Sequence, residues 1–188
     1  MMKKDVDQAL SVLYEGGVIL YPTDTIWGLG CDATNEKAIE KLYQIKERDT
    51  ETGMLILVES EGRVERYVED MPDIAWDLME VTDKPLTLVY HQARNLPDNL
   101  LGSDGSIGIR VTQDPFCQEL LKRFKKPIVS TSANRSHQSF PAHFREIDPA
   151  IRHAADYVVK HRQDETKKGS PSSIIRVGAG GAVKIIRE

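Results

Sequence analysis

Three short polar segments hold the residues of this sequence best suited to chemistry. The run Tyr21-Pro22-Thr23-Asp24-Thr25-Ile26-Trp27-Gly28-Leu29-Gly30-Cys31-Asp32-Ala33 sets two hydroxyls and a carboxylate within three residues. The glycines behind them let backbone approach a ligand closely. Thr23-Asp24-Thr25 reads either as a ligand loop or as a tight turn whose side chains bond their own backbone. Lys46-Glu47-Arg48 offers two cations. On a continuing helix they would point some 200° apart, so they converge on one anion only if the helix ends near Lys46. The competing reading is two cations complementing the helix dipole. Ser130-Thr131-Ser132-Ala133-Asn134 supplies hydroxyls and an amide for phosphate, ribose or carboxylate, or forms a capped Asn turn. Thr87, Ser172, Arg187 and Arg110 are further polar candidates. Arg110 stands inside the apolar run Ile107 to Val111, where an inward guanidinium needs a partner or a ligand.

Other chemistries find little support. His91, His137, His143, His153 and His161 make no metal-binding spacing, and Cys31 and Cys117 have no base nearby in sequence. No metal site is therefore expected. Gly28 to Ala33 fits G-x-G-x-x-A, but Pro22 to Trp27 separate it from the preceding strand, unlike a dinucleotide fingerprint. There is no phosphate-binding P-loop motif. The inventory suits a site that holds anions and hydroxyl-bearing ligands and does little covalent chemistry itself.

These segments need elements to position them. Val6, Ala9, Leu10 and Leu13 recur at helical spacing, with Asp5 as the expected cap and Gly16-Gly17 as the stop. Val18 to Tyr21 reads as a buried strand, followed by a polar, Gly-rich loop to about Thr34. Asn35 caps a second helix carrying Ala38, Ile39, Leu42 and Tyr43. Met54–Val58, Leu86–Tyr90, Ile107–Val111, Ile128–Ser130, Tyr157–Val159, Ser173–Val177 and Val183–Ile186 read as strands. Ile74–Val81, a helix opened by Asp114-Pro115, and Phe144–Ala154 read as helices. Gly178 to Gly181 should turn the last two strands into a hairpin. Lys160 to Lys168 reads as a solvated charged loop. Strands alternating with helices indicate an α/β fold with a mixed sheet.

The 188 residues make one domain the natural expectation, and 40% hydrophobic with 29% charged residues is ordinary globular composition. The longest apolar runs fall far short of the roughly 20 residues of a membrane span, so no membrane association is expected. The start, MMKKDVDQAL, has no apolar signal segment, and two thiols without one suit a reducing cytoplasm. Lys plus Arg number 25 against 29 Asp plus Glu, a net charge of −4, which argues against a protein that coats nucleic acid.

In their order along the chain, these pieces resemble the YrdC family, the threonylcarbamoyl-AMP synthases also called TsaC. The resemblance rests on Tyr21 to Ala33, Lys46-x-Arg48, Pro85-Leu86-Thr87, Ile107 to Val111, Ser130 to Asn134, Pro171 to Ile175 and Ile185-Ile186-Arg187, and so runs from about residue 6 to 187. It implies a single domain over residues 1–188, a twisted open mixed sheet flanked by helices, with a deep positive cavity. It implies that threonine, bicarbonate and ATP yield threonylcarbamoyl-AMP and pyrophosphate, with Mg2+ bridging the phosphates. The product would pass to downstream proteins that modify tRNA to N6-threonylcarbamoyladenosine. Motif by motif, the resemblance implies that Lys46 and Arg48 hold phosphates. It places Arg48, Thr52, Thr87, Ser132, Asn134 and Arg187 around ATP, and Thr23, Thr25, Ser130 and Ser172 around threonine. The chain departs from the family after Arg48, where Asp49 to Met54 replaces a Pro-containing run, and at Leu57, His137, Phe140 and Trp27. The YciO-type branch implies a different outcome, a non-catalytic protein that binds nucleotide or, weakly, RNA.

Overall fold

The computed structural model describes residues 1–49 and 53–188. Helix α1 (Met2–Tyr14) buries Val6, Ala9, Leu10 and Leu13. It ends where the Gly16 and Gly17 amides donate to the Leu13 and Val12 carbonyls, with Gly16 at φ +77°, a conformation glycine adopts without steric cost. Asp5 is not its cap. It sits in the first turn, buried, and accepts hydrogen bonds from the Tyr157 hydroxyl (2.6 Å) and the Lys160 amide (3.2 Å). Strand β1 (Ile19–Tyr21) is wholly buried and leads through the 22–27 loop into β2 (Gly28–Gly30). Sequence reading leaves β2 as loop, because two glycines carry almost no strand propensity. Its backbone pairs with β1 on one side and β6 on the other, which holds it extended.

Helix α2 (Glu36–Lys46) is capped by Asn35, whose side-chain oxygen accepts from the Lys37 and Ala38 amides. It stops at Lys46 because Glu47 turns left-handed at φ 48°. Strand β3 (Leu55–Val58) is followed by the short α3 (Glu61–Val64), α4 (Asp73–Val81), β4 (Leu86–Tyr90) and β5 (Ile107–Val111). Helix α5 (Pro115–Phe124) opens as expected: the Asp114 carboxylate accepts from the Cys117 amide at 3.0 Å, and Pro115 takes the first position. Strand β6 (Ile128–Ser132) follows. The expected single helix over Phe144–Ala154 is a 3-10 turn, Phe144–Glu146, and a separate α6 (Pro149–Ala154), because Asp148 and Pro149 start a new helix. Strands β7 (Tyr157–Val158), β8 (Ser173–Val177) and β9 (Val183–Arg187) complete the chain, with β8 and β9 joined by the expected hairpin.

The nine strands form one mixed sheet in the order β7-β1-β2-β6-β3-β5-β4-β8-β9. β1–β7, β3–β5 and β4–β8 run parallel, and the remaining neighbours antiparallel. Alternation assigns the two faces. One face, with Leu20, Leu29, Ile56, Leu88, Ile109 and Val129, joins the larger core with α2. The other face is covered only in part. Ile19, Tyr21, Leu57 and Ile128 lie under Leu10 and Leu13 of α1 and Phe116, Leu120 and Leu121 of α5. Burying each such side chain stabilises the fold by about 1.5–3 kcal/mol. The rest of this face carries Ser130, Ser132, Gly108, Arg110 and Thr87, and stays open.

Candidate functional site: a cationic cavity on the open half of the sheet

The open half is the floor of a cavity of about 390 Å3. Of the residues expected at the site, Thr25, Arg48, Thr87, Ser130, Ser132, Ser172 and Arg187 line it. Thr23, Lys46 and Asn134 are not among the lining residues. Thr52 lies outside the described residues. The cavity meets four guanidinium groups, Arg48, Arg110, Arg176 and Arg187, and no carboxylate among the described lining residues.

The 22–27 loop forms one wall. The Thr25 amide donates to Thr23 Oγ1 (3.0 Å), and Thr23 Oγ1 donates to the Ile26 carbonyl (2.7 Å). That uses the only Thr23 hydroxyl proton, so in the 2.9 Å contact between the two hydroxyls Thr25 is the donor. Thr23 thus locks the turn, and the Thr25 hydroxyl keeps lone pairs for a ligand N–H. Gly169 packs behind this turn: a Cβ there would lie 2.1 Å from the Thr25 carbonyl oxygen. The Lys160–Lys168 run is accordingly more than a solvated loop. Its Arg162 pairs with the buried Asp114 carboxylate and with Glu165.

Lys46 and Arg48 part company at the left-handed Glu47. The Lys46 ammonium, on a residue 2% exposed, donates to the Ser132 carbonyl (2.6 Å), the Asn134 carbonyl (2.5 Å) and, at 3.3 Å, Ser132 Oγ. Burial, and then the nearby Arg48 charge, brings its pKa down to about 7. The three acceptors act in the opposite sense by favouring the ammonium. Asn134 in turn donates its amide to the Arg135 and Gln138 carbonyls and so shapes the 134–138 turn. Arg48 reaches the cavity, and its Nη2 donates to the Gly53 carbonyl at 2.8 Å.

Elsewhere on the lining, Thr87 on β4, Ser172 before β8 and Arg187 on β9 meet. The Thr87 and Ser172 hydroxyls are 2.8 Å apart, and Arg187 Nε donates to the Ser172 carbonyl at 2.9 Å. Partial burial of its guanidinium, and then the charge of Arg110, lower the pKa of the otherwise exposed Arg187. Two like charges therefore face one cavity. Arg110, 4% exposed, is paired with Asp24 through Nη2 at 3.2 Å. Arg176 is paired with Asp104 at 2.6 Å, and Asp104 also takes the Ser106 hydroxyl. Arg176 and Ser106 belong to the cavity although sequence reading did not select them. The signal for Arg176 is the one that marks Arg110, an arginine inside an apolar strand, here Ser173-Ile174-Ile175-Arg176-Val177.

An open α/β sheet that keeps part of one face bare beneath clustered arginines and hydroxyls is a protein of the α/β class with a cavity suited to anions. The chain belongs to the Sua5/YciO/YrdC family, whose sequence model, described as "Telomere recombination", matches residues 11–188. Over 134 residues it is 40% identical to the threonylcarbamoyl-AMP synthase of Pseudoalteromonas translucida (strain TAC 125), covering 70% of this chain and 72% of that protein. Two solved structures share the fold. P. abyssi Sua5 complexed with L-threonine matches with a TM-score of 0.85 at 21% identity, over 97% of this chain and 53% of that one. E. coli YciO matches with a TM-score of 0.86 at 23% identity, over 100% of this chain and 90% of that one.

Proposed function

We propose that the protein is an L-threonylcarbamoyladenylate synthase: threonine, bicarbonate and ATP give threonylcarbamoyl-AMP, pyrophosphate and water, for N6-threonylcarbamoyladenosine modification of tRNA. The observation that carries this reading is the convergence of Arg110 and Arg187 on a cavity that no carboxylate lines among the described residues, with Arg48 also on its wall. Such a cavity suits a reaction that must bring two anions together, the carbamate of threonine and the triphosphate of ATP. Positioning and charge neutralisation supply most of the rate in such transfers.

Arg110 and Thr25 serve the threonine end, Arg110 taking the carboxylate and the Thr25 hydroxyl accepting an N–H. Ser130 and Ser172 border the same end. Arg48, Thr87, Ser132 and Arg187 serve the nucleotide, with Thr52 from the Asp49–Met54 segment. Lys46, with Asn134, acts through the Ser132–Asn134 backbone that its ammonium holds. Thr23 acts through the turn it locks. The carbamate oxygen attacks the α-phosphorus, and pyrophosphate leaves. Mg2+ would arrive with ATP and be held by phosphate oxygens. Among the described residues the lining offers the ion no carboxylate of its own, so phosphate oxygens are its natural ligands there. A cytoplasmic setting follows from this role, and no helix among the described residues is long and apolar enough to cross a membrane.

The test is pyrophosphate release from ATP by the purified protein. Release should require threonine and bicarbonate together, with threonylcarbamoyl-AMP as the product. Failure to form that product under those conditions sinks the reading. Arg48→Ala should weaken ATP affinity roughly ten- to a hundredfold, the equivalent of one lost charge-assisted bond of about 1.5–3 kcal/mol.

A further inference from the structure

Asp24 stands where two cavities come closest. The 22–27 loop separates the cationic cavity from a second one, of about 540 Å3, bounded also by Asp114, His143, His161 and Lys167. Asp24 borders the second cavity, and Arg110 the first. Their ion pair crosses the wall between them. Asp24 Oδ1 lies 3.2 Å from Arg110 Nη2, an ion pair without a directed hydrogen bond, and Asp24 Oδ2 accepts from the Thr112 hydroxyl (3.1 Å) and the Gln113 amide (3.4 Å). The carboxylate is thereby fixed to the end of the strand that carries Arg110. Arg110 Nε is enclosed and has no acceptor. Asp24 is therefore the only anion among the described residues that meets this guanidinium. The part of the guanidinium that Asp24 does not hold is left to meet the cavity.

We propose that Asp24 is a positioning residue for the threonine subsite: it holds the Arg110 guanidinium in the orientation that receives the substrate carboxylate, without touching substrate itself. This rests on the reading that the threonine carboxylate binds Arg110. Two physical points favour it. A guanidinium this deeply buried needs a permanent counter-charge to remain there between turnovers, and Asp24 supplies it from behind. A guanidinium drawn to one side of its pocket by a close counter-charge samples fewer rotamers, so less rotamer entropy is lost when a second carboxylate arrives. The Thr23–Thr25 turn is closed by its own hydroxyl bonds, so removing the Asp24 charge should leave Thr25 in place.

Calorimetric titration of threonine and of ATP, separately, into Asp24→Asn, Arg110→Gln and the double variant tests this. In Asp24→Asn, threonine affinity should fall roughly tenfold or more, the scale of one lost charge-assisted contact, while ATP affinity changes less than about twofold. The double variant should bind threonine no worse than Arg110→Gln alone, since Asp24 acts only through Arg110. Thr112→Val removes one support of the carboxylate and keeps every charge. It should weaken threonine about two- to threefold and serves if Asp24→Asn does not fold. If Arg110→Gln weakens threonine but neither Asp24→Asn nor Thr112→Val does, the positioning role is overturned and the synthase reading stands. If Arg110→Gln leaves threonine affinity intact, the carboxylate assignment itself is wrong. Equal losses for threonine and ATP in Asp24→Asn would reduce Asp24 to general scaffolding.

Discussion

Ile128, Ser130 and Ser132 stand two residues apart on the same side of β6. Ile128 lies beneath α5, in the cluster that also holds Leu13 of α1, whereas Ser130 and Ser132 border the cavity. β3 and β2 repeat the contrast: Leu57 is covered and Leu55 borders the cavity, and Gly30 packs against Tyr21 while Gly28 opens to the site. One sheet face thus carries two environments with one register. In the covered half, side chains fill the space and a change in volume is felt as stability. In the open half the space would take the proposed ligand, and the same change should be felt as affinity.

The largest effect expected from this contrast lies under α5. Leu121→Ala, at a residue with no exposure, should cost about 2–5 kcal/mol of unfolding free energy, measured by urea denaturation, while threonine and ATP affinities of the folded protein stay near wild type. The two glycines of β2 sharpen the comparison within a single strand. A Cβ at Gly30 would lie 2.4 Å from the Val129 carbonyl oxygen and 2.8 Å from the Tyr21 ring. Gly30→Ala should therefore cost about 1–3 kcal/mol of stability through overpacking. A Cβ at Gly28, a cavity-lining position, meets the Thr131 carbonyl at 3.2 Å, Ser130 Oγ at 3.4 Å and Thr23 Cγ2 at 3.7 Å. Gly28→Ala should lose less stability than Gly30→Ala and weaken ligand binding severalfold. Thermal melts and titrations on the pair decide it, and a larger stability loss at Gly28 would break the contrast.

A pH-dependent effect concerns Lys46, which supports the open half from below. Its folded-state pKa, about 7, lies below the ordinary lysine value of 10.5. The folded protein binds fewer protons at this group than the unfolded chain between those two values. Its contribution to stability therefore rises with pH across that window, is complete above 10.5, and is lost as pH falls through 7. Unfolding free energies of wild type and Lys46→Met, compared from pH 6.5 to 9.5, should show the difference moving in favour of wild type as pH rises. A flat difference would mean that the three acceptors keep the ammonium charged throughout.

The sequence carried the elements well where burial alone shapes them. The stripe of α2, the Asp114-Pro115 start of α5 and the apolar strands all follow from periodicity and capping. It carried β2 poorly, because a Gly-Leu-Gly strand is made by its neighbours' backbones. It carried the chemistry of the site by residue type but not by partnership. Thr23 and Thr25 differ only in where their protons go, and the Asp24–Arg110 pair joins positions far apart in the chain. Lys46 and Arg48 look alike in sequence, yet the left-handed Glu47 sends one beneath β6 and the other to the cavity.

Strand β9 gives the site an unusual dependence. All five of its residues are exposed, it forms the outer edge of the sheet, and its register with β8 shifts between Ile174 and Ile175. Yet it supplies Arg187, which ties down Ser172 and faces Arg110. Edge strands open most readily in the native state, well below the cost of global unfolding. When β9 frays, the cavity loses a guanidinium and the anchor of Ser172 together. A ligand bound as proposed, across Arg110 and Arg187, would replace their repulsion with a shared counter-charge and hold the edge closed. Ligand binding there should therefore slow amide exchange along this hairpin, and an edge shut only part of the time would lower the apparent affinity by that fraction.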